Sequence, residues 1–129
     1  MSAAKKKTPA SVVWFDVPAD NLKRAKTFYN KMFGWKINEF RGMKDFLHID
    51  TGGSNDSPDG GLMMRKNPQQ TCANYISVPS VDRFVTKVKK LGGKICVPKT
   101  AVPEMGYFAI CMDTENNQFG LWEMNREAK

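Results

Sequence analysis

The feature that most constrains this chain is that its second half repeats the order of blocks found in its first. Trp14-Phe15-Asp16-Val17-Pro18 opens one half, and Tyr75-Ile76-Ser77-Val78-Pro79 opens the other 61 positions later. Each is a short apolar run that ends in Val-Pro and leads into an amphipathic segment. In the first segment Leu22, Ala25, Phe28, Tyr29, Met32 and Phe33 recur at helical spacing; in the second, Val81, Phe84, Val85, Val88 and Leu91 do so. Recurrence at i, i+3 or i+4, and i+7 puts these side chains on one side of a helix that packs on a sheet. Asp20 and Ser80 are the expected N-caps, and Gly34 and Gly92 the expected left-handed stops.

The parallel continues beyond the helices. Gly34-Trp35-Lys36-Ile37 matches Gly92-Gly93-Lys94-Ile95, and Leu47-His48-Ile49-Asp50-Thr51 matches Ile110-Cys111-Met112-Asp113-Thr114 at an offset of 63. Gly60-Gly61-Leu62-Met63-Met64 matches Phe119-Gly120-Leu121-Trp122-Glu123 at an offset of 59. The drift in offset places length changes in turns, and the loops Gly52 to Gly60 and Glu115 to Asn117 have turn composition. Each half therefore reads strand, helix, strand, strand, strand. One such unit leaves a sheet face bare, so two must pair to bury it. The expected fold class is α+β: two βαβββ modules forming one eight-stranded open cup with a helix packed outside each module. Module one spans 11–66 and module two 72–124 of a domain at 11–124, with a disordered basic tail at 1–10 and a short tail at 125–129.

Composition excludes several classes. A chain of 129 residues with 41% apolar and 26% charged residues can bury a core without staples. No run approaches the roughly 20 apolar residues of a membrane helix. Lys5, Lys6 and Lys7 have no apolar stretch behind them, so no signal peptide is expected. Cys72, Cys96 and Cys111 are odd in number and form no CxxC pair, which argues for a reducing compartment and a cytoplasmic location. A zinc site built on them would need histidines, and His48 stands alone. The net charge of +7 comes partly from that N-terminal lysine run and from lysines at helical spacing, with no phosphate loop or RNP-like strand beside them. Specific nucleic-acid binding is not expected.

The stretch VVWFDVPADNLKRAKTFYNKMFG (12–34), LGGK (91–94) and DTENNQFGLWE (113–123) together resemble the vicinal oxygen chelate superfamily, which contains glyoxalase I, extradiol dioxygenases and bleomycin-resistance proteins. The resemblance runs from about Ser11 to Met124 and implies a cup, with chains usually paired as homodimers. In metal-dependent members it implies four ligands, one from the first and one from the last strand of each module, holding a divalent ion as Lewis acid. Carried over, these positions fall on Trp14, on Ala73 (or Tyr75 if the strand slips by one pleat), on Gly61 and on Gly120. None is an ordinary metal ligand, so no metal and no other cofactor is expected. Glu123 lies three residues beyond Gly120 and should face the other side of its strand, as a surface carboxylate.

Alternation along the strands predicts a lining of Trp14, Asp16, His48, Met63, Tyr75, Cys111 and Trp122, an aromatic and apolar set with a few polar groups. Phe46 and Asp50 share the parity of His48, while Leu47 and Ile49 belong to the helix-side core. His48, near Asp16 or Asp50, is the candidate catalytic base. The expected function is binding of a small, planar or amphipathic molecule without the usual metal. The alternatives are an enzyme of the glyoxalase or dioxygenase class using divergent ligands or His48, and a degenerate module acting through its basic surface.

Overall fold

The computed structural model describes residues 10–53 and 57–129. The tail expected at 1–10 therefore lies almost wholly outside the described residues, as do residues 54–56 of the first long loop. The elements run β1 (Val12–Ala19), α1 (Leu22–Phe33), β2 (Lys36–Glu39), β3 (Phe46–Asp50), β4 (Asp59–Met64), β5 (Ala73–Ser77), α2 (Val81–Lys90), β6 (Lys94–Val102), β7 (Gly106–Met112) and β8 (Gln118–Met124). The fold class is α+β, two βαβββ modules in sequence. By compactness the chain divides into Val13–Ala73 and a second unit containing Asn74–Lys129. No helix among the described residues is long and apolar enough to cross a membrane.

In module one the strands lie in the order β2-β3-β4-β1, with β1 and β4 parallel and the other neighbours antiparallel. Period-two alternation sends Ile37, Ile49 and Leu62 to the helix side, where with Ala19 they form a buried cluster under Leu22, Ala25 and Tyr29 of α1. Module two repeats the plan as β6-β7-β8-β5, with β5 and β8 parallel. Its core of Val78, Val81, Ala109, Cys111 and Leu121 lies under Phe84, Val85 and Val88 of α2. Residues 125–129 close over the turn between β6 and β7: Asn125 N–H donates to Met105 O, Glu104 N–H donates to Ala128 O, and Ala128 is buried.

The helix signals hold with two corrections. Ser80 caps α2 by accepting from Arg83 N–H, and Gly34 stops α1 at φ 74°. Gly92 takes φ 94° just past Leu91, the C-cap of α2. The N-cap of α1, however, is Asn21, whose side chain accepts from Arg24 N–H at 2.9 Å. Asp20 instead accepts from Arg65 Nε at 3.0 Å, one residue too early to reach the helix amides. The apolar stripe of α1 is also wider than the sheet it covers. Leu22, Ala25 and Tyr29 pack, while Phe28, Met32 and Phe33 stay 55–61% exposed. The lysines of α2 sit at its solvated C-terminal turn (Lys87, Lys89, Lys90), where cations oppose the helix dipole favourably.

Candidate functional site

The face of each module turned away from its helix holds all but one of the side chains singled out by alternation. In module one the register pairs Trp14 with Asp59 and Asp16 with Gly61 across β1 and β4, and His48 with Gly61 across β3 and β4. Trp14, Asp16, Phe46, His48, Asp59, Gly61 and Met63 therefore share one side of the sheet. Their rings form a cluster. The Trp14 indole stacks on Phe46 at 6.4 Å and 7° and on His48 at 5.9 Å and 26°. Phe40, just beyond β2, closes on Trp14, Phe46 and His48 at 5.6–6.4 Å. Met63 is buried at the end of the same face, paired with Phe46.

The polar groups of this face are engaged in a definite pattern. Asp16 Oδ1 accepts the Trp14 indole N–H at 2.9 Å, which holds that ring in place. Asp50 Oδ1 accepts from Gly52 N–H at 2.8 Å, the side-chain turn an aspartate makes two residues back from an amide. Neither of these two carboxylates is the hydrogen-bond partner of His48. That partner is Asp59, whose Oδ2 lies 3.1 Å from His48 Nε2, with the side chains 37% and 33% exposed respectively. The other carboxylate oxygen of Asp59 accepts from Thr51 N–H at 3.2 Å and from Thr51 Oγ1 at 3.4 Å. Asp59 is the residue the sequence reading missed, because its SNDSPDGG surroundings read as a turn up to Gly60. The signal was present: Asp59 stands two residues before Gly61, so it shares that residue's face.

In module two the register sets Tyr75 beside Gly120 and Ser77 beside Trp122 on β5 and β8, and Phe108 beside Trp122 on β7 and β8. Tyr75 and Phe108 meet edge to face at 6.4 Å, and Trp122 lies across Gly106. Cys111 is elsewhere. It is fully buried in the helix-side core, so its expected place in the lining is corrected. The reason is register. His48 pairs with Gly61, whereas the residue paired with Gly120 is Ile110, so the true offset is 62 and not 63. A slip of one residue moves a strand side chain to the opposite face. Burial, and to a lesser degree neighbouring Cys96, pushes the Cys111 thiol up to about 11, away from nucleophilic use.

The same registers decide the first-strand equivalence. Asp16 lies beside Gly61 as Tyr75 lies beside Gly120, so Trp14 corresponds to Ala73. The four positions that the resemblance assigns to metal ligands thus hold an indole, two glycines and a methyl group, none with a lone pair for a divalent cation. The space over both glycines is also taken. A Cβ at Gly61 would come 2.5 Å from the Phe46 ring, and one at Gly120 would collide with the Tyr75 ring. These positions do not fit the ion. Glu123 points to the helix side as expected, and it has a task there: its Oε1 accepts from Val81 N–H at 2.9 Å, at the first turn of α2.

Residues 11–52 match the family described as bleomycin resistance protein-like N-terminal. Over 88% of its length the chain is 26% identical to CFP32 of Mycobacterium tuberculosis (strain CDC 1551 / Oshkosh), which bears a glyoxylase name. The match covers 45% of that protein, so the chain spans less than half the length of the curated relatives it matches. Among solved structures, a glyoxalase/bleomycin resistance protein/dioxygenase superfamily member from Vibrio splendidus 12B01 superposes with a TM-score of 0.64 at 11% identity, covering 91% of this chain and 100% of that one. Methylmalonyl-CoA epimerase from Mycobacterium tuberculosis gives a TM-score of 0.61 at 14% identity, covering 97% and 93%. With the two βαβββ modules and their registers, these matches show that the chain has the vicinal oxygen chelate fold of the glyoxalase/bleomycin-resistance/dioxygenase superfamily.

Proposed function

We propose that this chain binds a small planar or amphipathic molecule on the sheet face of module one turned away from α1, without the divalent ion that the family resemblance implies for metal-dependent members. The observation that supports this reading best is the cluster of Trp14, Phe40, Phe46 and His48, in which the indole stacks with Phe46 and His48, Phe40 tilts against all three, and Asp16 holds the indole in place. Aromatic pairs contribute about 0.5–1.5 kcal/mol beyond area burial. Two such contacts to a planar ligand amount to roughly a tenfold or greater gain in affinity, since about 1.4 kcal/mol is a factor of ten. A cytoplasmic location and pairing of two chains belong to the same proposal.

The test is a titration of the native tryptophan fluorescence with a panel of planar aromatic compounds. Saturable quenching is expected, and Trp14→Ala should weaken it far more than it lowers the melting temperature. Trp35 serves as the internal control, because it packs against Phe15 and Tyr29 in the helix-side core. If no compound perturbs the fluorescence and Trp14→Ala mainly unfolds the protein, the rings are packing and the reading falls. The absence of the ion is tested separately: elemental analysis of protein purified without metal-affinity chromatography should find less than stoichiometric zinc, nickel, iron or manganese. One tightly held ion per chain would overturn that part.

A second reading, an enzyme with His48 as base, is favoured by the 3.1 Å contact to Asp59. A carboxylate that orients an imidazole is a usual general-base arrangement. Incorporation of solvent deuterium into a bound carbon acid, lost in His48→Gln, would select it.

A further inference from the structure

We infer that the ligand of the module-one face carries a hydroxyl group, as a phenol or enol does, and donates it to Nδ1 of His48. This rests on the reading of that face as a binding site. The argument follows the protons outward from Thr51. Its backbone N–H donates to Oδ1 of Asp59, so that oxygen must be an acceptor. The Thr51 hydroxyl also lies 3.2 Å from the carbonyl of Pro58, which anchors the loop end on which Asp59 begins β4. The remaining oxygen, Oδ2, faces Nε2 of His48 at 3.1 Å. A carboxylate oxygen facing Nε2 accepts from it, so in the ring with a single N–H that proton is on Nε2 and the lone pair is on Nδ1.

Among the described residues, Nδ1 has no hydrogen-bond partner, and a third of the side chain is exposed. The ring packs against Trp14 at 5.9 Å and Phe40 at 6.1 Å, the three forming one cluster. A fixed acceptor at the edge of an aromatic surface is complementary to a flat molecule with a hydrogen-bond donor in its own plane. Asp59 and Thr51 are positioning residues in this scheme, since they act through the imidazole. A hydroxyl that meets this acceptor gains a hydrogen bond that its methyl ether cannot make.

The probes are 2-naphthol and 2-methoxynaphthalene, titrated calorimetrically into the untagged full chain in slightly alkaline buffer. Wild type should bind the naphthol about tenfold more tightly, the value of one good hydrogen bond. Asp59→Asn should erase that preference. Thr51 N–H keeps the oxygen of the new amide, the amide NH2 turns to Nε2, and the imidazole proton must move to Nδ1, where it no longer accepts. Because the chain contains a single histidine, nitrogen NMR of the wild type reads the tautomer directly, with no variant needed. The expected spectrum has Nε2 protonated and Nδ1 bare, and Asp59→Asn should exchange them. Equal binding of both probes by wild type, or a wild-type imidazole protonated at Nδ1, overturns the inference while leaving aromatic binding intact. Binding of neither probe, with no other planar compound bound, removes both.

Discussion

Gly61→Ala places one methyl group at a position that the family resemblance assigns to a metal ligand, and its cost can be worked from the structure. The new Cβ would stand 2.5 Å from the tip of the Phe46 ring and 3.1 Å from its two flanking carbons, against the 3.4–4 Å of ordinary contact. The ring must therefore retreat by most of an ångström, which disturbs its stacking with Trp14. Inserting a methyl into a packed site costs roughly 1–3 kcal/mol. Removing a strand glycine returns about 0.5–1 kcal/mol, because alanine loses less backbone freedom on folding. The net expectation is a loss of about 1–2 kcal/mol in urea unfolding. Phe46→Ala, which strips a half-buried ring, should cost about 2 kcal/mol by itself. In that background Gly61→Ala meets no ring and should be neutral or stabilising by about 0.5 kcal/mol. The double-mutant cycle should then show a coupling of about 2 kcal/mol between the two positions. Additive effects, or a Gly61→Ala protein as stable as wild type, would refute the claim that Phe46 occupies the ligand space.

Glu123→Ala should lower stability by about 1 kcal/mol, the value of a helix-terminal hydrogen bond, since Oε1 of Glu123 accepts from Val81 N–H. An unchanged urea midpoint would rule that role out. Thiol titration of the native protein should label exposed Cys72 and Cys96 and spare Cys111 until denaturant is added; three equally fast thiols would refute its burial. Burial raises the folded Cys111 thiol from its ordinary 9.0 to about 11, so its contribution to stability is whole below pH 9 and is lost as pH climbs through 11. Cys111→Ala should reduce the alkaline fall in stability across that window, and an identical fall would contradict it. Sedimentation velocity at micromolar concentration should show paired chains, and monomer alone would refute the pairing.

The repeat, read from the sequence, already contained the element order, the two modules and the face of almost every strand residue. Period-two and period-3.6 patterns are local, and local sterics obey them wherever the partner strand lies. That is why Leu47 and Ile49 were assigned correctly to the helix side, and Trp14, His48 and Met63 to the other. Register is different, because it is set by which backbone amides pair across strands far apart in sequence. An offset misjudged by one residue was enough to put Cys111 on the wrong face, and only the pairing of Ile110 with Gly120 corrected it. The same kind of long-range pairing chose Ala73 over Tyr75 as the counterpart of Trp14. Hydrogen-bond partners were the least legible of all. Asp16, Asp50 and Asp59 are equivalent carboxylates in one dimension. Only the folded strands assign the first to an indole, the second to its own turn and the third to His48. Local periodicity decides which way a side chain points, whereas what it meets there depends on chain segments brought together by folding.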